Sequence, residues 1–157
     1  MAQLAKNMSP EKALEKAKWY CSFQERCKQH VLNRLIAWKV DKKHVSQLIE
    51  KLEKEDFLNE LRFTEAFVRG KFLMKNWGKI KISSQLYQLG IAEKLINKAL
   101  ASEIDEENYL KTLTQLTEKK MLLLVDADAE KKREKLFRYL MSKGYETELI
   151  SKVIKGA

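Results

Sequence analysis

Six cations and a tryptophan fall within about twenty residues near the middle of this 157-residue chain: Arg62, Arg69, Lys71, Lys75, Trp77, Lys79 and Lys81. Between Glu65 and Glu93 there is no carboxylate side chain at all. Guanidinium and ammonium groups unopposed by acids set up a positive field that draws in a polyanion or an acidic protein surface. An aromatic ring beside cations can stack on a base or on a partner's side chain, although large aromatics more often plug gaps between helices, and that reading of Trp77 is preferred. Gly78 would let two backbones approach closely. The chemistry on offer is binding, not bond-making: no Gly-rich phosphate loop, metal-ligand cluster or nucleophile–base set is present. The chain is therefore read as a non-enzyme that needs no cofactor and no metal.

The remaining reactive side chains fit the same reading. Cys21 and Cys27 are six apart, without the paired close spacings of a zinc site, and are taken as small apolar residues. His30 and His44 are the only histidines. His44 falls where equivalent segments carry Leu95 and Leu149, which makes it an edge-of-core residue.

The helix that presents the cations has to be read on a wheel of about 100° per residue. Phe63, Ala66, Phe67, Gly70 and Met74 fall in one stripe, assigned to the core. Arg62 and Arg69 lie on one side of it, Lys71 and Lys75 on the other. Val68 and Phe72 then point away from the core. Two readings of that pair stand: an outer apolar strip framed by cations, as in a protein-binding surface, or packing against a neighbouring repeat.

This helix belongs to a pattern written three times. Val31, Leu35, Trp38 and Val40 align with Ile82, Leu86, Leu89 and Ile91, then with Leu136, Leu140, Lys143 and Tyr145, at offsets of 51 and 54. The match continues through His44, Val45, Leu48 and Ile49 to Leu95, Ile96, Ala99 and Leu100, then to Leu149, Ile150, Val153 and Ile154. Apolar spacing is helical almost throughout, with five Gly and one Pro in the whole chain. The expected class is all-α: three tandem three-helix repeats, residues 9–55, 56–103 and 104–155, forming an elongated, curved molecule.

Within repeat one, helices are expected at Ser9 to about Cys21, with Ser9 as cap and Pro10 at the first helical position, then Gln24–Ala37 and Asp41–Glu53. Repeat two should hold Asn59–Lys75, Lys79–Leu89 and Ala92–Ala101. Repeat three should hold Asp105–Met121, a charged connection at Asp126 to Asp128, Ala129–Ser142 and Glu146–Lys155. Gly90 and Gly144 stand just after a helix end, where a left-handed residue closes a helix most readily. Lys39 stands at the same place in repeat one. A non-glycine residue there costs on the order of 1 kcal/mol, so a looser or differently shaped turn is expected.

Net charge is +9, unevenly spread. Residues 57–100 carry 8 basic against 3 acidic side chains, whereas 101–157 are balanced at 11 and 11. Residues 1–10 lack a hydrophobic signal region, and the apolar run Met121 to Val125 is too short to span a bilayer, so a cytoplasmic protein without membrane contact is expected.

The run Leu52-Glu53-Lys54-Glu55-Asp56-Phe57-Leu58-Asn59-Glu60-Leu61-Arg62-Phe63, followed by Phe67-Val68, Gly78-Lys79-Ile80-Lys81-Ile82, Leu86 and Leu89-Gly90-Ile91, resembles the RecX regulatory proteins. The resemblance extends over nearly the whole chain and is most specific from Phe57 to Ile91. Asn59-Glu60 replaces the usual acid pair, Thr64 a usual Ala, and Lys39 a common Gly. The resemblance implies three tandem three-helix repeats. It also implies that the molecule lies in the groove of a RecA nucleoprotein filament on DNA, blocks its growth or promotes its disassembly, and so suppresses ATP hydrolysis and strand exchange; a monomer is expected. The contacts would come from Arg62, Arg69, Lys71, Phe72, Lys75, Trp77, Lys79 and Lys81. The competing reading is a helical repeat protein that binds DNA or RNA without sequence preference, held by about four to six phosphate contacts.

Overall fold

A computed structural model describes residues 7–125 and 128–156 of the chain. Among them are nine helices in three trios. The first trio is α1 (Pro10–Phe23), α2 (Lys28–Ala37) and α3 (Lys42–Lys54). The second is α4 (Glu60–Lys75), α5 (Lys79–Gln88) and α6 (Glu93–Glu103). The third is α7 (Glu106–Leu123), α8 (Ala129–Ser142) and α9 (Thr147–Gly156). The expected all-α class and tandem trios are thus observed. The accessible surface is 10660 Å², where a compact chain of 18.4 kDa would expose about 8,200 Å². That excess is what an array of small modules, each covered on few sides, leaves open to water.

Local sequence explains where each trio starts. Ser9, Asn59 and Asp105 cap the opening helices, accepting hydrogen bonds from the backbone N–H of Lys12, Arg62 and Asn108. Asp41 and Asp128 cap α3 and α8 in the same manner. Of the expected charged connection, Asp126 and Ala127 lie outside the described residues.

The turn after the second helix of each trio is the same in all three. Lys39, Gly90 and Gly144 have φ of 60°, 77° and 96°. Lys39 N–H bonds the Ile36 carbonyl and Val40 N–H the Leu35 carbonyl; Gly90 and Ile91 repeat this onto Tyr87 and Leu86, Gly144 and Tyr145 onto Met141 and Leu140. The expected change of turn shape at Lys39 is therefore absent. Lys39 is exposed, so its Cβ meets only the local left-handed penalty, and the two reverse hydrogen bonds hold the turn against it.

Apolar burial does not divide into three equal cores. Ala13, Ala17, Val31, Leu35, Leu48, Leu52 and Leu58 form a core inside the first trio. A second, continuous core runs through both later trios, from Phe63, Val68 and Phe72 to Leu113, Leu136, Leu140 and Ile150. Cys27, from the first trio, packs into this second core and Cys21 into the first, both as buried free thiols whose ionisation burial disfavours.

The α4 wheel requires correction. The buried positions are Phe63, Thr64, Val68 and Phe72, not the stripe Phe63, Ala66, Phe67, Gly70 and Met74. Phe72 is only 4% exposed and stacks on Tyr109 of α7 at 5.9 Å between ring centroids, while Met74 is 81% exposed. The helix packs on α5 and α6 of its own trio and reaches Tyr109 of the third trio through Phe72 near its end, so burial spans nearly half its circumference. Thr64 can be buried because its hydroxyl donates to the Glu60 carbonyl one turn back.

Candidate functional site

The junctions between trios consume several of the central cations. Arg62 donates through Nε to Glu25 at 2.6 Å and through a terminal nitrogen to Asp56 at 3.1 Å. The Glu25 carboxylate beside it raises the guanidinium's affinity for its proton. Around this pair, Lys28 N–H donates to the Glu60 carboxylate at 3.0 Å and His30 meets Phe63 edge to face at 5.4 Å. Arg62 therefore clamps the first trio to the second. Burial and the nearby Arg26 charge push the His30 pKa below its ordinary value, keeping the ring neutral.

The second junction has the same plan. Gly78 approaches the third trio so closely that a Cβ on it would lie 2.3 Å from the Gly144 carbonyl oxygen. Gly78 N–H donates to Lys143 O at 2.7 Å, Ile80 N–H to Gly144 O at 2.9 Å and Lys79 N–H to the Tyr109 hydroxyl at 2.9 Å. These bonds occupy the free N–H groups at the start of α5, which has no side-chain cap of its own. Tyr109 in turn donates to the Glu146 carboxylate, and Tyr145 to the Asn76 carbonyl at 2.9 Å. Burial drives the pKa of both phenols up, so each stays protonated and able to donate. The expected close approach at Gly78 is thus present, and it joins two repeats.

Acids distant in sequence fill part of the gap in carboxylates between Glu65 and Glu93. Arg69 forms a forked pair with Glu103 of α6, at 3.1 and 3.3 Å, and the Lys79 ammonium is paired with Glu106. Of the eight expected contact residues, Arg62, Arg69 and Lys79 are held in internal ion pairs, and Phe72 is buried. The sequence could not display this, because Glu25, Glu103 and Glu106 are between 27 and 37 positions away from their partners.

Lys71, Lys75, Trp77 and Lys81 remain together on one surface. Trp77 is half-buried against the core, with the Lys71 ammonium 4.8 Å and the Lys81 ammonium 4.4 Å from its ring centroid. Lys71 also lies 5.4 Å from Phe67. All three distances suit cation–π attraction, which orients the ammonium groups without neutralising them. Lys75 is exposed at the end of α4, with no carboxylate partner among the described residues.

The apolar strip these cations flank is the one first assigned to the core. Ala66, Phe67, Gly70 and Met74 line a shallow groove of about 240 Å³, with Lys71 and Lys75 on its rim. Gly70 is the residue that sequence reasoning placed wrongly and could have placed correctly. A glycine inside a helix costs roughly 0.5–1 kcal/mol relative to Ala, and a Cβ here would meet nothing within 4 Å, so no packing requirement explains it. An open apolar groove edged by cations can seat an acidic, partly apolar protein surface. Among the described residues, no group of three or more His, Cys, Asp or Glu could hold a metal ion, and no helix is long and apolar enough to cross a membrane.

Comparison with known proteins gives this arrangement a context. The family model for the second three-helix domain of RecX matches residues 59–100, and that for the third three-helix domain of RecX matches residues 106–154. Regulatory protein RecX of Clostridium beijerinckii is 33% identical over 132 residues, covering 83% of this chain and 61% of that protein. Regulatory protein RecX of Oceanobacillus iheyensis is 28% identical over 136 residues, covering 87% of this chain and 50% of that protein. The chain thus spans between half and three-fifths of the length of these relatives. In fold, the crystal structure of RecX from Lactobacillus salivarius matches with a TM-score of 0.83 at 24% identity, over 94% of this chain and 95% of that one. A second crystal structure, of regulatory protein RecX, matches with a TM-score of 0.85 at 21% identity, over 94% and 72%.

Proposed function

The chain belongs to the RecX family of regulatory proteins, and on that premise we propose that it is a negative regulator of the recombinase RecA. It binds in the groove of the RecA–DNA filament and restrains filament growth, ATP hydrolysis and strand exchange. The observation that carries this reading is the α4 groove: Ala66, Phe67, Gly70 and Met74 offer an apolar floor, and Lys71 and Lys75 a cationic rim. Trp77 and Lys81 extend the rim toward α5. A filament groove brings acidic protein surface and phosphates close together, and a strip that is apolar at its centre and positive at its edge complements both. Arg62 and Lys79 contribute by fixing the trios relative to one another, and Arg69 by tying α4 to α6 within the second trio, not by direct contact.

The test compares binding to RecA filaments with binding to bare DNA. Lys75→Glu combined with Lys81→Glu should reduce filament affinity at least tenfold while helical content stays constant. If the wild-type chain binds bare duplex DNA nearly as well as filaments, with a log–log salt slope near minus four or five, plain nucleic-acid binding replaces the regulator reading.

A further inference from the structure

A different trio carries a second surface, built from aromatic rings and unpaired cations. At about 100° per residue, Lys12, Lys16, Trp19 and Phe23 fall within about 60° of one another on the outer side of α1, with Tyr20 beside them. Trp19 is 65% and Phe23 63% exposed, and their rings pack edge to face with centroids 4.5 Å apart. The Tyr20 ring is covered by the guanidinium of Arg26 at 3.9 Å and approached by that of Arg34 at 4.9 Å, and the Lys16 ammonium lies 5.1 Å from Trp38.

These cations differ from those of the second trio in one decisive respect. Arg62, Arg69 and Lys79 are neutralised by carboxylates, whereas Lys16, Arg26 and Arg34 have no carboxylate partner among the described residues. Arg26 spends only its Nε, on the Tyr20 carbonyl at 3.2 Å, leaving its terminal nitrogens free. Glu15, an acid one turn before Trp19, lies at the margin of the strip.

We propose that this face of the first trio is a stacking surface for single-stranded nucleic acid, with Trp19 and Phe23 receiving bases and Lys16, Arg26 and Arg34 meeting the phosphates. Rings standing out from a helix, paired with each other and flanked by cations without carboxylate partners, match unpaired bases, because every base has a π face and a phosphate about one nucleotide away. A protein helix would need a groove to receive its apolar side chains, and a perpendicular ring pair offers faces and edges instead. The surface acts without RecA and is independent of the α4 groove.

The experiment is anisotropy of a fluorescein-labelled oligothymidylate of about twenty nucleotides, titrated with the full chain and no RecA. Trp19→Ala should weaken binding about tenfold or more, with Phe23→Ala adding to it. Arg26→Gln with Arg34→Gln should lower the log–log salt slope by about 1.4. Gly70→Leu should bind the oligomer like wild type, which separates this surface from the filament groove. Failure of the wild-type chain to bind, or unchanged affinity in Trp19→Ala, overturns the proposal. So does equal competition by poly-glutamate, which would assign the face to an acidic protein. A dimer that disappears in Trp19→Ala would assign it to a second copy and overturn it too.

Discussion

At the scale of single residues, the distinction that matters is between side chains that hold the molecule together and side chains that face outward. Gly70 is the sharpest case. Gly70→Leu removes the entropic cost of a mid-helix glycine and its Cβ meets no neighbour within 4 Å, so the protein should gain about 0.5–1 kcal/mol in denaturant unfolding. The same leucine fills the α4 groove, so filament binding should fall at least tenfold. A variant that is both more stable and fully active would show that the groove is not used. His30 makes a separate prediction. Its folded-state pKa lies below the ordinary 6.5, so the unfolded chain takes up the proton first as pH falls. Stability contributed by neutral His30 is present above about pH 6.5 and is lost below it. Thermal melts from pH 7.5 to 5.5 should therefore fall less steeply in His30→Gln than in wild type. Residue types and spacing made the cationic segment legible, as they did the caps at Ser9 and Asp41. Which cations are free was not legible, because pairing with Glu25, Glu103 and Glu106 is decided by tertiary approach.

The elements show how far periodicity reaches. Helix positions followed from apolar spacing and turn residues, with most boundaries falling within a residue or two of expectation. The face that α4 buries did not, because a helix between two neighbours buries parts of two faces and a single-stripe wheel selects the wrong one. The equivalent turns rank their glycines in a way melting can test. Lys39→Gly should stabilise by about 0.5–1 kcal/mol, and Gly90→Ala should destabilise by about 1 kcal/mol, both through the left-handed backbone alone. Gly78→Ala should cost about 1–3 kcal/mol although its φ is ordinary, because its Cβ would overlap the Gly144 backbone. Equal melting temperatures for Gly78→Ala and wild type would mean that the second and third trios are not in the contact described.

For the whole molecule, the repeated junction is the organising feature. In each case the start of one trio's second helix docks on the start of the next trio's first helix: Lys28 N–H on Glu60, then Lys79 N–H on Tyr109. Such head-to-tail contacts do not close on themselves, so the trios extend along a line and keep a large surface for a partner of filament size. The threefold pattern was legible as offsets of 51 and 54. The fusion of the last two cores was not, since it depends on Phe72 of α4, Tyr109 of α7 and Tyr145 of the turn between α8 and α9 meeting in space. The central claim is that this array restrains a RecA filament through the α4 groove. The most direct measurement is RecA-catalysed ATP hydrolysis on single-stranded DNA with the chain added well below one copy per RecA protomer. The account predicts strong inhibition by wild type and little by Gly70→Leu; hydrolysis unaffected by wild type, or inhibited equally by both, would contradict it.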